Sequence, residues 1–363
     1  MDSSNQIKIC LVLPSLYGGG AEKMMSNLAN HFAEKKLSVD LIIFGKRTHF
    51  DNYINKDVNL IFFNKQRAIY GVLPLISYFR EEKPSSVLVT MPYMSIVTIA
   101  AKILSFQKIH VVIRQPNYLS LNVDKVFCKK CYFYLVSRIY NLGDSVIGIS
   151  KGVSSDLEEL GVENVKTIYN PVFNTRLLEI AKGNVDFSMI RGTALFIGVG
   201  RLVKQKNFTL LLDAFSIVRK GMDAQLLILG KGPDLKDLEE HADQLNIKGD
   251  VVFLGHVMNP MPYIKKSDVL VVSSLWEGFG NIIVEALSVK TQVVSTDCHS
   301  GPREILDNGK YGFLTNLNNA SDMAFVMKKA YKNKKEPGLL FQRSKMFDVN
   351  HISSLYLNEL IEE

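Results

Sequence analysis

Short apolar runs recur along the chain, most of them closed by a turn-forming residue and followed by a helical pattern. In the first half they are Lys8 to Leu13, Val39 to Phe44, Val58 to Phe63, Ser86 to Thr90, His110 to Ile113, Asp144 to Ile149 and Val165 to Ile168. Runs of this length between turn signals are the mark of buried strands. Met24, Met25, Leu28, Ala29 and Phe32 fall on one face of a helix, and Gly71 to Glu82 is a further helical stretch. The pattern then restarts. Ala194 to Val199, Ala224 to Leu229, Val251 to Leu254, Val269 to Val272, Gln292 to Ser295 and Tyr311 to Leu314 are apolar again. Helices are expected from Phe208, over Asn281 to Lys290, Ala320 to Lys332 and His351 to Ile361. Strands alternating with helices imply a parallel sheet covered on both faces. Two such series in 363 residues, 47% of them hydrophobic, give two doubly wound α/β domains with filled cores.

Other classes are less well supported. Val87 to Phe106 is apolar enough to consider as a membrane span, but Pro92 and Lys102 interrupt it, so a strand and a buried helix are expected. Four scattered cysteines make no disulfide framework; Cys128 and Cys131 are read as reduced thiols. Met1 to Lys8 is polar and lacks a signal-peptide core, which points to the cytoplasm. The charge is uneven. Residues 1–180 carry 21 Lys and Arg against 15 Asp and Glu, and residues 181–363 carry 22 against 21. The basic half has no nucleic-acid motif, so nucleic acid is not an expected partner. Val123 to Asn141 interleaves Lys125, Lys129, Lys130 and Arg138 with aromatics. That suits either an anionic membrane surface on the inner face of the cell membrane or a packed helix with solvated lysines.

The chemistry concentrates in loops after strands. Gly198 and Gly200 leave room, and Arg201 and Lys206 place two cations before the helix from Phe208. A planar fork and a point charge at a helix start suit a diphosphate. After Val269 to Val272 comes Ser274-Leu275-Trp276-Glu277-Gly278-Phe279-Gly280-Asn281, with Glu285 about one turn into the next helix. The glycines allow close backbone approach, the helix start favours an anion, and carboxylates bind sugar hydroxyls. Near the N-terminus Gly18-Gly19-Gly20-Ala21-Glu22 follows the first strand, again a phosphate-cradling order.

The Glu277 and Glu285 pair around Gly278-Phe279-Gly280, the G-x-G-R-x-x-x-x-K element ending in Arg201 and Lys206, and Gly19-Gly20-Ala21-Glu22 resemble glycosyltransferase family 4, retaining enzymes of GT-B fold. The loop Thr296 to Glu304 is similar to that of bacterial enzymes building polysaccharide or lipid-linked glycans. The resemblance implies an N-terminal acceptor domain (1–172), a linker (173–192), a nucleotide-sugar domain (193–345) and a terminal helix (346–363) that packs back on the first domain. The two domains would face each other across a cleft.

The resemblance implies that Arg201, Lys206 and Glu277 serve catalysis. Gly19, Gly20, Gly200, Val257, Gly278, Phe279, Gly280, Asn281 and Glu285 join them in holding the donor. Glu22, Arg114 and Asn117 border the acceptor. A hexose would pass from a nucleotide sugar, UDP-hexose by expectation, to a glycan or lipid-linked acceptor. No D-x-D element follows a strand as a metal site, so no metal is expected, and the donor is a substrate, so no separate cofactor is implied. The family scheme has the acceptor attack on the leaving-group face and a donor phosphate oxygen take the proton. Two alternatives stay open: a GT-B epimerase acting on the sugar nucleotide alone, and a non-catalytic sugar-nucleotide-binding subunit.

Overall fold

The computed structural model describes residues 7–17, 19–65, 67–121, 128–185 and 194–361. Its contacts divide the chain into two units, Met1–Pro171 with Val349–Glu363, and Val172–Asp348.

In the first unit the strands are β1 (Lys8–Leu13), β2 (Ser38–Ile43), β3 (Val58–Phe62), β4 (Ser86–Thr90), β5 (His110–Gln115), β6 (Ser145–Gly148) and β7 (Val165–Thr167). They form one sheet in the order β3-β2-β1-β4-β5-β6-β7, every pairing parallel. The connecting helices are α1 (Gly20–Glu34), α2 (Val72–Glu82), α3 (Pro92–Ser105), α4 (Lys129–Tyr140) and α5 (Lys151–Glu159). β1 is buried from Ile9 to Leu13 and packs on Met24, Met25, Leu28 and Phe32 of α1. The apolar stretch expected to split does so: β4 ends at Thr90, and Pro92 opens α3 at the position where a missing N–H is harmless. Among the described residues no helix is long and apolar enough to cross a membrane. The helix expected over Val123 to Asn141 begins at Lys129; the earlier part, with Lys125 and Phe127, lies outside the described residues, as do Gly18, residues 1–6 and 186–193.

The second unit has β8 (Ala194–Val199), β9 (Ala224–Leu229), β10 (Val251–Gly255), β11 (Val269–Val272), β12 (Gln292–Thr296) and β13 (Phe313–Thr315) in the order β10-β9-β8-β11-β12-β13, again all parallel. Its helices are α6 (Thr175–Ile180), α7 (Phe208–Arg219), α8 (Leu235–Gln244), α9 (Met261–Lys266), α10 (Asn281–Ser288), α11 (Gly301–Ile305), α12 (Ala320–Lys332) and α13 (Pro337–Lys345). The last helix, α14 (Val349–Leu360), belongs to the first unit and packs on α1, with Tyr356 fully buried. The stretch expected as a linker is not plain coil. Asn174 caps α6 by accepting from the Leu177 N–H, and the Val172 and Phe173 N–H groups donate to the Phe347 carbonyl. The last strand also differs: Tyr311 and Gly312 precede it, and it runs to Thr315 beside Thr296.

In both sheets the strand order reverses direction, at β1/β4 and at β8/β11. Open α/β sheets bind ligands beyond the carboxyl ends of the strands at such switch points. Each unit therefore has one place where two loops diverge and leave room.

Candidate active site

In the second unit the loops after β8 and β11 meet at the switch point. The chain leaves β8 through Gly200, makes a 3-10 turn at Lys204–Lys206, and enters α7 through Asn207 in the left-handed region (φ 46°). The aliphatic stem of Lys206 lies over Gly200, where an added Cβ would stand 3.5 Å from it. Lys206 Nζ then reaches Glu277 Oε1 at 2.5 Å. Glu277 is 5% exposed, and Ser274 Oγ donates to the same oxygen at 2.7 Å. The two loops are laced together around this pair. The Leu275 N–H donates to the Gln205 carbonyl (2.8 Å), Gln205 Nε2 to the Trp276 carbonyl (2.9 Å) and Ser273 Oγ to the Lys206 carbonyl (2.8 Å). Arg201 is exposed on the β8 loop.

The remaining walls need close backbone approach. A Cβ on Gly230 would stand 1.8 Å from the Gly200 carbonyl oxygen, and one on Gly301 1.8 Å from that of Phe279. Gly280, at φ 101°, turns the chain into α10, whose first N–H groups follow it. Glu285 is half-buried one turn into α10, while Val257 is half-buried and His256 and His299 are exposed on their loops. Cys298 is buried nearby, and its thiol is pushed up to about 12 by burial and by the Glu277 charge, with Lys206 acting against both.

The Phe279 side chain is 2% exposed and packs edge-on against Phe347, ring centroids 5.3 Å apart, so its ring is turned away from the loop surface. The sequence motifs assign no role to the lacing residues Gln205 and Ser273, and no packing role to Ser274, Gly230 or Gly301. Apart from Ser274 and Glu277, three residues apart, the partners lie 22 to 71 residues away, beyond what local spacing reveals.

In the first unit the glycine loop closes on Glu22 rather than presenting it. Glu22 accepts from the Tyr17 N–H (2.7 Å), the Gly19 N–H (2.9 Å) and Ser15 Oγ, and is 8% exposed. It is a capping-box carboxylate at the start of α1, well placed against the helix dipole. Gly19 and Gly20 remain exposed beside it. Tyr93, in the first turn of α3 after β4, has its hydroxyl pKa raised by burial and by the Glu22 charge.

Arg114 is a correction. Expected to border the acceptor, it is 1% exposed, with Nη1 on Thr90 Oγ1 (3.1 Å) and Nη2 on Asn170 Oδ1 (2.7 Å). It points into the sheet end because its strand position pairs with Thr90, and it ties β4, β5 and the turn after β7 together beside Tyr356. Asn117 is half-buried and serves its own loop: its carbonyl accepts from Gln115 Nε2 (2.7 Å) and its Oδ1 from the Tyr118 N–H (2.9 Å). Asp156, which no motif flagged, braces that loop by accepting from the Leu119 N–H at 2.7 Å.

Two parallel-sheet α/β domains in one chain, each with its loops opened at a switch point, are the build of GT-B transferases. Residues 189–344 match the family model described as Glycosyl transferases group 1, and residues 18–175 match Glycosyltransferase Family 4, so that between them they cover most of the chain. The chain belongs to the family 4 glycosyltransferases of GT-B fold. Among its relatives is the Campylobacter jejuni N-acetylgalactosamine-N,N'-diacetylbacillosaminyl-diphospho-undecaprenol 4-alpha-N-acetylgalactosaminyltransferase, 26% identical over 94% of this chain and 96% of that one. An uncharacterized glycosyltransferase of Methanocaldococcus jannaschii is 40% identical, but over 142 residues, 35% of either chain. The crystal structure of Anabaena HepE in complex with UDP and glucose superposes with a TM-score of 0.81 at 19% identity, over 97% of this chain and 98% of that one; at that identity the likeness speaks to the fold.

Proposed function

We propose that this glycosyltransferase moves a hexose from a UDP-sugar, with retention, to a hydroxyl of a polyprenyl-diphosphate-linked glycan during surface-polysaccharide or glycan assembly. The observation that carries this reading is the Lys206–Glu277 pair at the second switch point, on the loop that also holds Arg201. In the donor complex Lys206 and Arg201 would neutralise the departing diphosphate, while Glu277, already fixed by Ser274, would take a sugar hydroxyl. Gly278, the Phe279 backbone, Gly280, Asn281 and the start of α10 would approach the phosphates. No side chain has to act as nucleophile or metal ligand; a phosphate oxygen of the donor would take the acceptor proton. The lipid-diphosphate acceptor rests on the Campylobacter relative and the uridine nucleotide on the HepE complex. The test is a screen of UDP-sugars with a short lipid-diphosphate-sugar acceptor in the presence of EDTA, reading product anomer by NMR. A product of inverted configuration, or turnover abolished by EDTA, would overturn the retention or the metal independence. Epimerisation of the donor without acceptor would favour the epimerase reading.

Glu285 would hold the ribose. Glu285→Ala should weaken UDP binding by about 1.5–3 kcal/mol, the range for hydrogen bonds to charged groups; calorimetry giving wild-type affinity would remove it from the donor site.

A membrane-facing surface would be carried by α2, α3 and α4, of which α3 packs against both of the others. They and their ends leave Leu73, Ile103, Phe106, Tyr134 and Leu135 exposed among exposed Arg80, Lys108, Lys129, Lys130 and Arg138. Exposed apolar side chains and cations on the same three helices and their ends suit an anionic lipid surface. The chain should co-sediment with vesicles containing phosphatidylglycerol and little with phosphatidylcholine alone, and Phe106→Asp with Leu135→Asp should lower that binding several-fold. Equal binding to both vesicle types would rule out the charge-assisted mode.

A further inference from the structure

Cys128 and Cys131 stand outside the transfer chemistry. Both are exposed, and their sulfurs lie 2.7 Å apart. Cys128 occupies the N-cap of α4, where its sulfur accepts from the Cys131 N–H at 3.4 Å. Thiols are weak acceptors, and an N-cap is better served by Ser, Thr, Asp or Asn. Capping therefore does not account for a cysteine here, still less for two within one turn. The spacing places both side chains on one helix end, within the range a disulfide spans. The shared thiol hydrogen and the Cys131 N–H favour a thiolate at Cys128 and draw its pKa below the ordinary thiol value. Cys131 moves the other way, through the same hydrogen bond and then its neighbour's charge. Lys129 and Lys130 are exposed alongside and favour an anionic reactant. The other two cysteines differ in every respect: Cys10 and Cys298 are buried, and burial raises both thiols.

We propose that Cys128 and Cys131 are a reversible dithiol–disulfide site that reacts with small anionic disulfides of the glutathione type. The Cys128 thiolate attacks one sulfur of the oxidised tripeptide, breaking its S–S bond, forming a mixed disulfide and releasing one glutathione thiolate, which takes a proton from solvent. Cys131 loses its proton to solvent and attacks the Cys128 sulfur, expelling the second glutathione. The protein loses two electrons and two protons, and the small disulfide gains them. The product staples the first turn of α4 and leaves the rest of the helix in place.

The test uses the full chain equilibrated in glutathione buffers of graded redox poise, quenched in acid, alkylated and mapped by mass spectrometry. The oxidised protein should lose two alkylatable thiols, and the peptide holding Cys128 and Cys131 should be lighter by two hydrogens at unchanged elution volume. The change should reverse on returning to reduced glutathione. Cys131→Ser should stop with one glutathione on Cys128, and Cys128→Ser should react at least tenfold more slowly. Both variants change exposed side chains, and circular dichroism should show them folded. Two thiols still alkylatable under a large excess of oxidised glutathione would overturn the proposal, and so would a bridge between chains or a lasting glutathione adduct on the wild-type protein.

Discussion

Lys206→Ala should lower turnover by about 10²–10³-fold, equivalent to about 3–4 kcal/mol of transition-state stabilisation, the scale of deleting one charge-stabilising group at a reacting centre. It should also lower stability. Lys206 neutralises a Glu277 carboxylate that is almost wholly withdrawn from water, and among the described residues Ser274 Oγ would remain as its hydrogen-bond donor. Removing one member of a fully buried pair costs about 3–5 kcal/mol; the Lys206 side chain is 21% exposed, so about 2 kcal/mol is the expectation here. The two effects are separable. Combining Lys206→Met with Glu277→Gln removes the charge and its partner together, so the denaturant midpoint should recover while turnover stays low. A double variant that regains turnover would show that Lys206 serves only the fold, and a single variant with near-normal rates would end the catalytic assignment.

Gly301→Ala is expected to do comparable damage through a different cause. The new Cβ would stand 1.8 Å from the Phe279 carbonyl oxygen, 2.3 Å from its carbon and 2.5 Å from its Cα, all backbone atoms. Phe279 cannot retreat, because its ring is packed against Phe347, and Ser300 Oγ donates to the Gly278 carbonyl at 3.2 Å. Either α11 or the loop of residues 278–281 must shift. Overpacking of this kind costs about 1–3 kcal/mol, and UDP affinity should fall by at least about tenfold, 1.4 kcal/mol. Gly249→Ala is the control: an added Cβ there meets nothing within 4 Å, and the change should stay within about 0.5 kcal/mol. Calorimetric UDP titration and chemical unfolding of the two variants check both points; a Gly301→Ala protein that binds UDP normally would detach α11 from the site.

The two strand series, the glycine turns, the two cations after β8 and the acid–glycine–aromatic–glycine loop after β11 were all legible in the sequence. Each depends on periodicity or turn chemistry within a few residues, and a strand's carboxyl end says which side its loop will take. The directions of long side chains were not legible. Glu22 turns back to close its own loop, and Arg114 turns inward to Thr90 and Asn170. Phe279 is absorbed by Phe347, and Gly301 is required by a carbonyl 22 residues earlier in the chain.

The sequence by itself determined the kind of fold and the loops that form the candidate site, because hydrophobic period and backbone permissiveness act locally. Only the tertiary structure decided which charges meet. Lys206 and Glu277 are 71 residues apart and touch because strands β8 and β11, distant in sequence, are neighbours at a switch point. Whether a polar group faces a ligand or a neighbouring backbone depends on what packing has already placed beside it.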